Sequence, residues 1–180
     1  VASLDDLEAS APNVSTVNLV VSWFGDDLRC ANCSIQPRVE YGGTKTVTPA
    51  EWSVGGLVRS TANVVSFDGN GNHYYGGTPA DITVREAIID LKARGMRVVF
   101  YPFILMDVPP GNTLPNPYSD NAAAVGQPDF PWRGRITVSP AAGYVGSADK
   151  TATAGTQIAS FTGTAAAADF GAWDGATIPY

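Results

Sequence analysis

Chemistry at a strand end needs a carboxylate, a cation or a thiol held where a ligand can reach it. Asp26 and Asp27 follow the apolar run 17–23, and Asp107 follows the apolar run 96–105. Adjacent strands lie about 4.8 Å apart, so acids emerging from two neighbours fall near the carboxyl separation of about 5–9.5 Å that glycoside hydrolases use. Asp26 and Asp107 are the candidate catalytic pair on sterics alone; glutamate is more usual in that role, and neither Glu40 nor Glu51 falls at a strand end. Trp23 and Tyr101 lie in the same two runs, and the cluster Phe130-Pro-Trp-Arg-Gly-Arg-Ile136 adds Trp132, Arg133 and Arg135. Aromatic platforms beside acids and arginines bind sugars, which makes these five the candidate substrate-binding residues. Arg133 and Arg135 alternate about a glycine, so on an extended chain they share a face. They would hold a substrate carboxylate or pair with Asp26, Asp27 or Asp107. Plainer readings stand beside these. Trp23 and Tyr101 would be core, Asp107 would cap the turn before Val108-Pro-Pro110, and the arginines would serve internal ion pairs.

Cys30 and Cys33 form a Cys-Ala-Asn-Cys run, and His73 is the only histidine. That set is too small for a structural zinc site. A redox pair would open a helix after a strand, whereas this run leads into Ser34-Ile-Gln-Pro37. A local disulfide or two packed thiols is expected. The run Asp68-Gly-Asn-Gly-Asn-His73 resembles the start of a calcium loop. However, His73 stands where glycine is needed and Pro79 where a bidentate glutamate is needed, so the run reads as a hairpin turn with a surface histidine. Neither a phosphate-binding GxxxxGK[ST] run nor a GxGxxG run opening a helix is present. No metal or cofactor is expected.

The elements that must position these groups are legible in part. Residues 3–10 read as a short helix capped by Ser3, with acids in its first turn. The run 17–23 is rich in β-branched residues and reads as a buried, parallel strand. Thr78-Pro79-Ala80-Asp81 reads as N-cap, first helical proline and acid. Val84, Ile88 and Leu91 then recur at helical spacing, and Gly95 closes the helix. The run 96–105 is a second buried strand, so strand 17–23, helix 79–94 and strand 96–105 form one right-handed β-α-β unit. Two long insertions, about 26–77 and 106–149, interrupt it. The first holds short strands near Arg38–Tyr41, Thr44–Thr48 and Val64–Phe67, and a hairpin or two. A weaker helix spans Ser147–Thr164, with Thr151, Ile158 and Phe161 on its apolar side.

Bulk properties narrow the function classes. The 180 residues suit one domain spanning 1–180. A net charge of −6 opposes binding to phosphate backbones, and no basic run interleaved with aromatics is present. The longest apolar stretch, 98–106, contains Pro102 and falls far short of the roughly 20 residues of a spanning helix. No basic segment followed by an apolar block marks a signal peptide.

Four separated strings carry a resemblance. They are Trp23-Phe-Gly-Asp-Asp-Leu-Arg-Cys30, Tyr75-Gly-Gly-Thr-Pro-Ala-Asp81, Tyr101-Pro-Phe-Ile-Leu-Met-Asp107 and Pro131-Trp-Arg-Gly-Arg-Ile-Thr137. In this order they resemble the glycosidase-like barrel domain of the gene transfer agent baseplate protein, at the tip of a phage-like tail. The resemblance runs from Leu4 to Phe170. It implies an α/β fold that is a partial (β/α) TIM-barrel-like unit, made in a bacterial cytoplasm and carried at the particle's tail tip. It also implies contact with the host envelope, other tail-tip proteins as partners and cell-wall polysaccharide as target. A complete barrel needs about 250 residues, so the chain is expected to be the N-terminal part of such a domain, or a trimmed relative, and inactive by itself. The alternative is a peptidoglycan or glycan hydrolase whose remaining catalytic residues lie outside this chain. On that alternative Asp107→Asn would abolish glycan cleavage. A third reading is a carbohydrate-binding module. A partial barrel exposes strand edges, so self-association is expected unless the insertions cover them.

Overall fold

The computed structural model describes residues 2–43, 51–131, 135–164, 166–169 and 171. Helix α1 (Ala2–Ser10) leads into β1 (Thr16–Gly25). Five two-residue strands follow: β2 (Ile35–Gln36), β3 (Arg38–Val39), β4 (Ser53–Val54), β5 (Leu57–Val58) and β6 (Asn63–Val64). Then come α2 (Asp81–Ala93), β7 (Arg97–Met106), α3 (Ala152–Thr162) and a short 3-10 turn at Ala167–Asp169. The expected strand Thr44–Thr48 lies outside the described residues.

The protein is a mixed α/β fold built on the β-α-β unit. β1 and β7 are parallel and paired from Thr16↔Arg97 to Gly25↔Met106. β2 adds antiparallel to the carboxyl end of β1, giving the order β2-β1-β7. Among the described residues this sheet is open and no barrel closes. Proline chemistry accounts for its outer edge. Arg97 N–H donates to Ser15 and Asp107 N–H to Gly25, so the odd-numbered donors of β7 face β1 and the even ones face outward. Pro102 therefore places its missing donor on the outer edge, where proline is tolerated in a sheet. Tyr75 occupies the end of that edge by donating from its hydroxyl to Met106 O at 3.3 Å.

α2 covers one face of the sheet. Its Val84 and Ile88 pack with Val21, joined by Leu19, Trp23, Val98 and Phe100. Each fully buried aliphatic side chain contributes about 1.5–3 kcal/mol. Gly95, at φ +77°, ends the helix as expected, with Met96 N–H reaching back to Leu91 O. Its start differs from expectation. Pro79 and Ala80 precede the helix, and Ala80 is extended without a side-chain cap. Thr78 is engaged elsewhere. α1 is tied to the end of α2 by Arg94, which pairs with Asp5, Glu8 and Asp90. α3 is shorter than the 147–164 span and buries no residue.

The first insertion has its own small core of Val39, Trp52 and Val54, against which Trp23 and Ala80 pack. β4 and β5 form a hairpin whose turn, Gly55-Gly56, has positive φ at both residues, the geometry that favours glycine there. β3 and β6 pair in parallel, so that part is not a hairpin. A second hairpin does form at Asp68–Asn72, where Phe67 bridges His73 and Asp68 accepts from the N–H groups of Asn70 and Asn72.

Candidate functional site at the carboxyl ends of the parallel strands

Asp26 and Asp107 occupy equivalent places, one residue beyond the last β1–β7 register pair. Their side chains serve different loops. Asp26 is half-buried, and its Oδ1 accepts from Ser34 N–H at 2.7 Å. The Asp107 side chain has 0% exposure, and Arg38 beside it 13%. Asp107 Oδ2 accepts from Arg38 Nη1 at 2.6 Å and from Ser66 N–H at 3.0 Å. As folded, this carboxylate anchors the first insertion to the end of β7, and it is not the cap of the following turn. Asp107 Oδ1 and Arg38 Nε are both buried without a hydrogen-bond partner.

Thr78 explains how Arg38 is aimed. Its hydroxyl donates to Ser22 O at 2.8 Å and accepts from Arg38 N–H at 3.1 Å. Its own N–H donates to Arg38 O at 2.7 Å. Trp52 Nε1 completes the junction by donating to Thr78 O at 2.7 Å. A residue that sequence logic assigns to a helix cap thus stitches β1 to β3, because three backbone groups there need partners.

Asp27 anchors the second insertion. Arg29 grips both its oxygens, with Nη2 at 2.6 Å from Oδ2 and Nε at 3.0 Å from Oδ1. Gln127 Nε2 donates to Oδ1 at 2.7 Å, while Gln127 Oε1 accepts from Leu28 N–H at 2.8 Å. Burial alone would push this carboxyl upward, but the hydrogen bonds from Arg29 and Gln127 outweigh it and hold it below its ordinary value. The acids at the strand ends therefore pair with Arg29 and Arg38, neither of which was a sequence candidate. Arg135 is exposed, and Trp132 and Arg133 lie outside the described residues.

Trp23 and Tyr101 do not share a platform. Trp23 pairs in register with Ile104, and Tyr101 with Val20, so alternation puts the two rings on opposite faces. Trp23 is packed between the two cores and under the hairpin turn, where a Cβ on Gly55 would meet its ring at 3.3 Å. Tyr101 is 50% exposed, with the Phe103 ring at 6.2 Å.

The aromatic surface at the strand ends comes from other residues. Tyr75 packs on Phe24 at 5.6 Å and on Phe130 at 5.8 Å, and Tyr74 packs on Phe130 at 4.1 Å. Burial and the nearby Asp107 charge both push the Tyr75 hydroxyl upward. His73 sits edge-on to Tyr41 at 5.1 Å and to Phe67 at 6.0 Å, and its Nδ1 is buried without a hydrogen-bond partner. Phe67, Tyr41 and Tyr74 remain 61%, 49% and 42% exposed. Phe130 holds its ring from a backbone at φ +37°, a strained conformation for a bulky residue. The available sequence signal was the pair Tyr74-Tyr75 directly after a hairpin turn.

Cys30 and Cys33 are free thiols, Cys30 buried and Cys33 packed against the cluster of Leu28, Met106 and Val108, so of the two readings packed thiols are the one observed. Burial pushes both thiols upward, which keeps them protonated and weakly nucleophilic at neutral pH. Gly25 is needed beside them, since a Cβ there would lie 3.0 Å from Cys33 Sγ and 2.7 Å from Met106 Sδ. Among the described residues no group of three or more His, Cys, Asp or Glu could hold a metal ion. No helix among them is long and apolar enough to cross a membrane. No protein-family model and no curated protein sequence matches the chain.

Proposed function

We propose that the chain is a glycan-contact module of a phage-like tail tip, of the gene transfer agent baseplate kind. On this reading it carries a glycoside-hydrolase-like (β/α) unit, touches the host envelope and is held in the particle by other tail-tip proteins. The observation that supports glycan contact is the exposure of two aromatic groups on segment 66–75 and its neighbours, Tyr41 and Phe67 against His73 and Tyr74 against Phe130. Segment 66–75 carries most of these rings and is tied to the end of β7 through hydrogen bonds from Ser66 and Tyr75, with the Tyr75 ring packed on Phe24 of β1. Open α/β sheets bind ligands beyond the carboxyl ends of their strands. Exposed aromatic rings offer the apolar face of a sugar a surface that costs little water structure to cover. Retention of the chain on immobilised peptidoglycan tests the reading. Phe67→Ala with Tyr74→Ala is expected to weaken retention at least about tenfold, a loss of about 1.4 kcal/mol. Undiminished retention would remove the aromatic group from the contact.

One observation favours the hydrolase reading, in which further catalytic residues lie outside this chain. Asp107 Oδ1 is buried without a hydrogen-bond partner at a strand end, and such an atom calls for a water, an ion or a functional role. Assaying glycan cleavage by the longest available parent protein, with and without Asp107→Asn, separates the two readings. Cleavage that disappears with the substitution, in a protein still folded, favours the hydrolase.

A further inference from the structure

Arg29, Arg38, Arg59 and Arg94 are each committed to a carboxylate. Arg135 is not, and among the described residues no acid lies within ion-pair reach of it. Arg135 borders a cavity of about 360 Å³, lined with it by Leu28, Tyr118, Pro128 and Pro131. That volume lies within the range of small-ligand sites, about 300–1,000 Å³. Among the described residues the lining combines three apolar side chains with one cation and one hydroxyl, and none of these is acidic.

Hydrogen bonds frame the cavity. Leu28 is fully buried and follows Asp27 directly, so the cavity lies just beyond the end of β1. Leu28 N–H donates to Gln127, Thr137 N–H donates to Leu28 O at 2.7 Å, and Cys30 N–H donates to Thr137 O at 2.8 Å. These bonds hold the backbone two residues from Arg135 and the Gln127 side chain one residue before Pro128. The Tyr118 hydroxyl is raised by burial, against the opposing pull of Arg135, so it remains a hydrogen-bond donor at neutral pH.

We propose that this cavity binds the carboxylate of an acidic sugar. The Arg135 guanidinium meets the carboxylate, the Tyr118 hydroxyl donates a second hydrogen bond, and Leu28, Pro128 and Pro131 pack against the apolar face of the ring. The carboxylate part of the assignment stands on the cavity alone, and the sugar part rests on the glycan-contact reading. Charge complementarity selects the occupant: a planar guanidinium favours a carboxylate in paired hydrogen bonds, and an apolar wall suits a compact ring.

Titration calorimetry of the full chain with N-acetylmuramic acid, glucuronic acid and neutral N-acetylglucosamine tests this. At least one acid is expected to bind about tenfold or more tightly than the neutral sugar. Preference for the muramic acid points to wall glycan freed of its stem peptides, whose lactyl carboxylate is then exposed, and preference for the uronate to an acidic polysaccharide. Arg135→Gln is expected to erase the preference, Arg135→Lys to restore part of it, and Tyr118→Phe to weaken acid binding several-fold. Arg135 is exposed, so its replacement leaves the core untouched. Equal or absent binding of the acids and the neutral sugar, or a preference that survives Arg135→Gln, overturns the proposal. If Phe67→Ala weakens peptidoglycan retention while Arg135→Gln changes nothing, the cavity fails and the aromatic contact stands. Acid-selective binding that needs Arg135 but not Phe67 or Tyr74 has the opposite meaning.

Discussion

At the scale of single residues, the strand-end acids work as anchors, and each has a measurable consequence. Arg38 and Asp107 form an ion pair with almost no exposure. Removing one partner of such a pair leaves a buried charge uncompensated, so Arg38→Met is expected to cost about 3–5 kcal/mol in denaturant unfolding. The double replacement Arg38→Met with Asp107→Leu should recover much of that loss, and no recovery would show that the pair contributes mainly through Ser66 and the loop. Asp27 gives a pH signature. Its carboxyl is held below its ordinary value of 3.8, so the folded state binds the proton less readily than the unfolded one. Its contribution is complete above about 3.8 and is lost as pH falls through the lower, folded value. Asp27→Asn should therefore flatten the acid limb of a stability–pH curve, and an unchanged limb would place the acid sensitivity elsewhere. The sequence identified Asp26, Asp27 and Asp107 as strand-end acids, offering Asp26 and Asp107 as a catalytic pair and ion pairs to Arg133 or Arg135 as the plainer reading. Nothing in residue type reveals that Arg38, Ser66, Arg29 and Gln127 are already their partners.

At the scale of elements, β1, α2 and β7 were legible, and their boundaries came out within a few residues. Val84, Ile88 and Leu91 are buried at the spacing that marked them. Ile88→Ala, which empties part of the α2–sheet contact, is expected to cost about 2–5 kcal/mol by thermal or chemical unfolding. The start of α2 was misread because Thr78-Pro79 carries a strong cap signal. The threonine hydroxyl instead satisfies Ser22 and Arg38, a tertiary demand that local propensity does not contain. The outer edge of β7 carries its own test. Pro102 removes one outward donor, and a further strand there would lack one ladder bond. Pro102→Val restores the donor in a strand-favouring residue, so it should increase self-association in sedimentation velocity. An unchanged monomer fraction would mean that other groups protect the edge.

At the scale of the whole molecule, the sheet has one covered face and one partly open one. α2 and the first insertion cover the face of Val21 and Trp23. On the other, the register partners Val20 and Tyr101 are 54% and 50% exposed. Self-association, where it occurs, is therefore expected through this face and not along the edge that Pro102 interrupts. Tyr101→Lys should reduce any concentration-dependent increase in sedimentation coefficient, and no response would direct attention to the loops.

What the sequence determined by itself was the period and punctuation of the β-α-β unit, the turn at Asp68–Asn72 and the acids at the strand ends. These are local properties, written within a few residues of each other by burial pattern, glycine and proline. The tertiary structure decided which groups meet. Arg38 reaches Asp107 across 69 residues and Gln127 reaches Asp27 across 100. It also separated Trp23 from Tyr101, brought Tyr41 and Phe67 to His73, and brought Tyr74 to Phe130. The physical reason is that a carboxylate accepts from any well-placed donor, so its partner is chosen by where the insertions fold and not by the residues beside it.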